Sequence, residues 1–185
     1  GVFAHTVDAK SSYTLEHSTR VARIARHLAQ VSGFRGEELD KIEIAGLLHD
    51  IGKLRVPEDI IDKPGPLTRH ERAHVMRHSY DTGQILKKIF PDPSIADWAA
   101  MHHENLLGTG YPFHTHAKEI PPEARMIAVA DIFQALSQER PYRGHMGKAE
   151  VMARMDEMCA QGRIDANMVS LLHAQLDACY ALAVE

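Results

Sequence analysis

The sequence predicts an all-α protein of about seven helices. Apolar residues recur at helical spacing along most of the chain. Alanine and leucine are plentiful while aromatic residues make up only 6%. No stretch reads convincingly as a strand, an internal repeat or a low-complexity tract.

Taken in order, residues 14–32 place Val21, Ile24, Ala25 and Leu28 on one face, and Gly33 can end that helix. Residues 37–50 turn Leu39, Ile42, Ala45, Leu47 and Leu48 inward. "VPEDIIDKPGPLT" (56–68) holds three prolines and a glycine, so it reads as a loop with a short helix at 57–62. Thr68 and Glu71 form a Thr-x-x-Glu capping box for a helix running to about Phe90. Asp92-Pro93-Ser94 opens the next, which extends to about His103. Residues 104–120 carry Gly108, Gly110 and Pro112 without a sustained period and read as a long loop, a feature often functional in compact domains. A strongly apolar helix follows at 121–136, then helices at about 147–160 and 166–183.

With 185 residues, 44% hydrophobic and 25% charged, the chain suits one globular domain with a substantial core. A net charge of −4 argues against binding a nucleic-acid polymer, because such domains usually present a basic face. No apolar run approaches the roughly 20 residues of a membrane span, and no signal peptide is visible, so a cytoplasmic location is expected. Cys159 and Cys179 lie outside any CxxC pattern and read as ordinary buried thiols. The chain begins at Gly1 rather than at a methionine, which suggests an excised piece of something longer.

The chemistry concentrates in a few residues. In "LLHDIGK" (47–53), an apolar helix runs into His49-Asp50 with Lys53 close behind. A buried carboxylate costs several kcal/mol unless it is paired, hydrogen-bonded or metal-bound. Asp131 poses the same problem within "MIAVADIFQAL". Taken singly, each has a bland reading: Asp131 as a salt bridge to an arginine, His17 and His78 as core histidines, His102-His103 as a surface pair. Together, His17, His49, Asp50, His78, His102, His103 and Asp131 supply five imidazoles and two carboxylates on predicted helices or helix ends. One aspartate can bridge two metals through its two oxygens. Mixed nitrogen and oxygen donors favour transition metals such as iron, manganese, zinc or nickel over calcium or magnesium. Two such metals about 3.5–4 Å apart make a standard site for attacking phosphodiesters.

The ordered set His…His-Asp…His…His-His…Asp resembles the HD-GYP branch of the HD phosphohydrolase superfamily. The strings that carry the likeness are "YTLEHSTRVA" (13–22), "LLHDIGKLRVPEDII" (47–61), "HHE" (102–104), "GYP" (110–112) and "ADIFQALSQERPYR" (130–143), and it runs from about residue 3 to the C-terminus. The resemblance implies an HD-domain helical bundle over residues 1–185, part of a longer bacterial protein with an upstream sensory or receiver domain. It implies a metal-dependent phosphodiesterase that opens cyclic di-GMP to pGpG and in some members continues to GMP. It also implies two divalent transition-metal ions per chain, iron or manganese foremost. One would be held by His17, His49, Asp50 and Asp131, the other by Asp50, His78, His102 and His103. Some members bind a third metal through a glutamate where this chain has Tyr13, which favours two. Asp50 and Lys53 would be catalytic, with Lys53, Tyr111, Arg140 and Arg143 contacting substrate. Lys53 can also be read as a solvated helix-end residue, and Tyr111 as loop packing. Glu104 would orient a ligand histidine or be a surface acid. A second copy of the chain and a GGDEF-type protein are the protein partners compatible with the family.

Two departures stand out. The family's loop has an aspartate where this chain has Leu107, and "FHTHA" (113–117) replaces its glycine-containing continuation. Both leave the metal ligands intact and bear on substrate preference. His74, His114 and His116 read as surface residues. The alternatives are an HD phosphohydrolase acting on another nucleotide, and a non-catalytic cyclic dinucleotide-sensing or partner-binding domain.

Overall fold

A computed structural model of the chain describes residues 14–138 and 146–184. Tyr13, Arg140 and Arg143 lie outside the described residues. Within them the structure is helical, with a single isolated β-bridge between Leu107 and His116. The elements are α1 (Thr14–Val31), α2 (Glu37–Leu48), a 3-10 turn (Ile51–Arg55), α3 (Glu58–Ile61), α4 (Arg69–Met76), α5 (His78–Ile89), α6 (Pro93–Ala100), a second 3-10 turn (Ala117–Glu119), α7 (Pro122–Ser137), α8 (Lys148–Ala160), α9 (Ala166–Ala174) and α10 (Leu176–Val184). No helix among the described residues is long and apolar enough to cross a membrane.

The core is built where the periodicity places it. Val21, Ile24 and Leu28 of α1 meet Leu39 and Ile42 of α2 and Met126, Ile127 and Phe133 of α7, all buried. Helix α7 is apolar on nearly every side because α1, α6 and α8 all pack against it. Cys179 is buried and Cys159 half-buried, and both are free thiols.

The expected helices form, but four end or break sooner than periodicity suggests. Helix α2 stops at Leu48, so His49 and Asp50 sit in the turn beyond it. The expected helix from Thr68 to Phe90 divides at Arg77, although its Thr68–Glu71 capping box forms. Helix α6 stops at Ala100, leaving His102 and His103 in a turn rather than on one helix. Likewise the last expected helix divides at Gln175. The first three boundaries share a cause. The final carbonyls of a helix lack an intrahelical donor, and in each case a histidine three residues on takes one of them. His49 Nδ1 lies 2.7 Å from the Gly46 oxygen, His78 Nδ1 2.6 Å from that of Val75, and His102 Nδ1 2.6 Å from that of Ala99.

The 3-10 turn is clamped onto the start of α5. Gly52 donates its N–H to Thr82 Oγ1 at 2.9 Å, and the Thr82 hydroxyl donates to the His49 carbonyl at 2.9 Å. Arg55 pairs with buried Asp81 at 2.8 Å. A Cβ on residue 52 would lie 1.9 Å from the His78 oxygen and 2.7 Å from the Thr82 nitrogen, which is why glycine follows His49-Asp50-Ile51. Gly52→Ala is therefore expected to destabilise the metal-free protein by about 1–3 kcal/mol, read as a lowered urea midpoint. A change below about 0.5 kcal/mol, the scatter of ordinary surface substitutions, would contradict the close approach.

Candidate metal centre

Five elements deliver side chains to one buried point: α1, the α2–3-10 junction, the start of α5, the turn after α6, and α7. Asp50 is at their centre and is 2% exposed. Its Oδ2 lies 2.5 Å from Lys53 Nζ and 3.4 Å from His49 Nε2. Its Oδ1 lies 3.2 Å from His78 Nε2 and 3.9 Å from His102 Nε2, yet has no hydrogen-bond partner among the described residues.

That orphan oxygen follows from histidine tautomers. His78 and His102 each commit Nδ1–H to a backbone carbonyl, so in the neutral ring Nε2 carries a lone pair. Those nitrogens lie 3.3 Å apart and both face the carboxylate. With both rings neutral, lone pairs from two imidazoles and a carboxylate converge, an arrangement that a cation relieves. His17 is oriented by a different device. Its Nδ1 lies 2.5 Å from Gln134 Oε1, while the Gln134 amide donates to the Ala183 carbonyl at 3.3 Å, leaving His17 Nε2 3.1 Å from Asp131 Oδ1. Asp131 and Gln134 are three residues apart on α7 and so share a face.

The residues foreseen as ligands are brought together. His17, His49 and Asp50 offer donor atoms within 4.8 Å of one another, as do His49, His102 and Asp131, and His78, His102 and His103. These overlapping groups fit transition-metal ions in nitrogen and oxygen donors, and the buried unpaired Asp50 oxygen supports the fit. Lys53 lies beside the centre rather than in open solvent, its ammonium against Asp50. Tyr111 is half-buried, with its ring 4.8 Å from that of His103 and 6.4 Å from that of His78. Glu104 does neither thing expected of it. It is 7% exposed and accepts the backbone N–H groups of Phe113 at 2.6 Å and Thr115 at 3.0 Å, so it pins the loop rather than a histidine. Gly110 completes that pinning, since a Cβ there would lie 2.5 Å from the Glu104 Cα and the His103 oxygen. His74, His114 and His116 are exposed, as expected.

Sequence reasoning missed Gln134 and Thr82. Gln134 was detectable: it is a fully buried amide within the apolar run that drew attention to Asp131. Thr82 left no signal, because a threonine on a helix is unremarkable until the turn that it clamps is known.

Burial and charged neighbours pull against each other at the centre. Burial opposes ionisation of Asp50, but the Lys53 ammonium and the His49 imidazole outweigh it and hold the carboxyl well below its ordinary range. Asp131 is held low in the same way, burial being outweighed by its hydrogen bond to His17 and by His49. Burial drives His102 well below its usual value and lowers His103 to about 4. His49 goes the other way: burial lowers it, but Asp50 and Asp131 raise it to about 9.

Against this geometry, the family model for the HD domain matches residues 1–168. The chain is 40% identical over 183 residues to "3'3'-cGAMP-specific phosphodiesterase 1" of Vibrio cholerae, covering 99% of this chain and 42% of that protein. It is 38% identical over 146 residues to a cyclic di-GMP phosphodiesterase of Pseudomonas aeruginosa, covering 78% of this chain and 35% of the relative. The chain thus spans less than half the length of either relative. The solved HD domain of the L. monocytogenes phosphodiesterase PgpH superposes with a TM-score of 0.68 over 97% of this chain and 95% of that one, at 21% identity, which shows a shared fold.

The two oppositely shifted histidines give the metal-free protein a bell-shaped stability profile. His103 is neutral in the fold down to about 4, against 6.5 when unfolded, so stability climbs as pH rises from about 4 to 6.5. The charged His49 contributes stability fully below 6.5, which is lost as pH rises through about 9. Thermal melts of chelator-treated protein should peak near pH 6.5. A melting temperature still rising at pH 9 would contradict these assignments.

Proposed function

The chain belongs to the HD domain family, in the form that carries a GYP loop, and from that premise we propose that it is a metal-dependent phosphodiesterase acting on cyclic dinucleotides. The single observation that carries the proposal is the buried, unpaired Asp50 oxygen facing the imidazoles of His78 and His102, while the other oxygen of Asp50 faces His49. The residues present would hold two metal ions, with Asp50 contributing to both ligand sets. His17, His49 and Asp131 complete one ligand set; His78, His102 and His103 complete the other. Nitrogen-rich sets with carboxylates suit iron or manganese. When bound, such a pair supplies the Lewis acidity and the activated water that phosphodiester hydrolysis requires.

The chain's own residues do the rest. The imidazoles fixed through Nδ1 aim their Nε2 atoms at the centre without rearrangement. Lys53, 2.5 Å from Asp50, stands where its ammonium can meet a phosphate oxygen as charge develops. Tyr111 lines the approach beside His103. Arg140 and Arg143 follow α7 closely in sequence and extend the phosphate-holding role through the bidentate guanidinium fork. Water adds across one P–O3′ bond, the 3′ oxygen leaves with a proton, and a linear 5′-phosphorylated dinucleotide results: pGpG from cyclic di-GMP, with a second hydrolysis giving GMP. The names of the relatives support both cyclic di-GMP and 3'3'-cGAMP as substrates. The guanine-containing cyclic dinucleotides are therefore the class proposed. Leu107 is absent from the lining of the cavity beside the centre and approaches Gly162 instead, so its part in preference is indirect.

Two outcomes follow. Asp50→Ala should lose both metals, or retain one weakly, and lose hydrolysis; two tightly held metals with full activity would refute the bridge. Lys53→Ala should keep its metal content yet slow turnover roughly 100- to 1,000-fold, the usual effect of removing one charge-stabilising donor. Metal analysis with chromatography of products from cyclic di-GMP and 3'3'-cGAMP reads both, and an unchanged rate constant would return Lys53 to the surface.

A further inference from the structure

A cavity of about 770 Å³ opens beside the metal centre, within the usual ~300–1,000 Å³ range of small-molecule sites. His102, His103 and Tyr111 line one part of it; Arg72 of α4 and Arg163 of the α8–α9 turn line another. Both arginines are exposed, and among the described residues neither guanidinium has a hydrogen-bond or ion-pair partner. The other charged residue of the lining is Glu104, whose carboxylate is occupied by the N–H groups of Phe113 and Thr115. Asn105 and Thr109 are engaged with each other and with the loop backbone. Two fixed positive charges thus share the wall of a cavity with the candidate metal centre, without an ion-pair partner among the described residues, in a chain whose net charge is −4.

We infer that Arg72 and Arg163 form a second anion subsite, which receives the phosphodiester of the cyclic dinucleotide that is not being cleaved. The inference rests on the phosphodiesterase reading above and extends it. A cyclic dinucleotide carries two phosphates on opposite sides of its macrocycle. When one is placed at the histidine cluster, the other must find a cation or stay in water. Arginine suits this second place because its planar fork meets phosphate oxygens in pairs and never loses its charge. Position supports the assignment as well. Arg72 follows the Thr68–Glu71 capping box, which fixes the start of α4. The Arg163 carbonyl accepts the Leu106 N–H at 3.3 Å, which ties its turn to the loop bearing Gly110 and Tyr111. The two arginines select for a substrate with two phosphodiesters and take no part in bond cleavage.

The test compares Arg72→Ala, Arg163→Ala and the double variant, metal-loaded, on two substrates: a cyclic dinucleotide and bis(p-nitrophenyl) phosphate, which has one phosphodiester. The double variant should raise the KM for the cyclic dinucleotide at least about tenfold, with kcat within about twofold, metal content unchanged and bis(p-nitrophenyl) phosphate hydrolysis unchanged. The KM of the parent protein should also rise more steeply with ionic strength than that of the double variant, because screening weakens a charge contact that the variant lacks. Unchanged KM for the dinucleotide, or equal losses on both substrates, would overturn the subsite. A parent protein that cleaves bis(p-nitrophenyl) phosphate but no cyclic dinucleotide would instead overturn the substrate class, and that result is read before any variant is made.

Discussion

The structure around the centre depends on one carboxylate. Asp50 is buried among imidazoles, and one of its oxygens has no hydrogen-bond partner. Removing such a group from water costs several kcal/mol even after relaxation, so the surrounding fold is organised to offset that cost. Lys53 and His49 stabilise one oxygen; His78 and His102 face the other. The 3-10 turn that presents Asp50 is in turn fixed by Gly52, Thr82 and the Arg55–Asp81 pair. Substitutions in that turn therefore act on the centre even when they touch no ligand.

A second economy lies at the helix ends. Three histidines use Nδ1 to satisfy a last-turn carbonyl and so leave Nε2 directed at the centre. One hydrogen bond thereby ends the helix, fixes the tautomer and aims the donor atom, the combination that preorganised metal sites need. His17, which lies within α1 near its start, cannot use a last-turn carbonyl, and the buried amide of Gln134 takes over the task. The GYP loop is anchored just as firmly: the Glu104 carboxylate holds two backbone amides while Gly110 permits the chain to press against residues 103–105.

Much of this was legible in the sequence, for identifiable reasons. Asp50 and Asp131 were conspicuous because a carboxylate in an apolar run needs a partner, and the histidines gained meaning from that need. The helical periods located the core of α1, α2 and α7. Helix ends were less legible, because His49, His78 and His102 end or interrupt their helices through side-chain bonds that no period encodes. Glu104 was misread because its partners, Phe113 and Thr115, come from across the loop. Arg72 and Arg163 gave no sign at all. An arginine on an exposed surface has nothing distinctive about its neighbours in sequence, and only the shared cavity sets these two apart.

Charge ties the account together. The chain is acidic overall, whereas the proposed substrate is an anion, so attraction must be local. The proposed metals, Lys53 and the cavity arginines would supply it, with Asp50 joining the two ligand sets. The most direct test is anomalous diffraction from crystals of the manganese-loaded protein. The account predicts two peaks, one bonded to each oxygen of Asp50, with His17, His49 and Asp131 around one and His78, His102 and His103 around the other. A single peak, or two peaks that do not share Asp50, would contradict it.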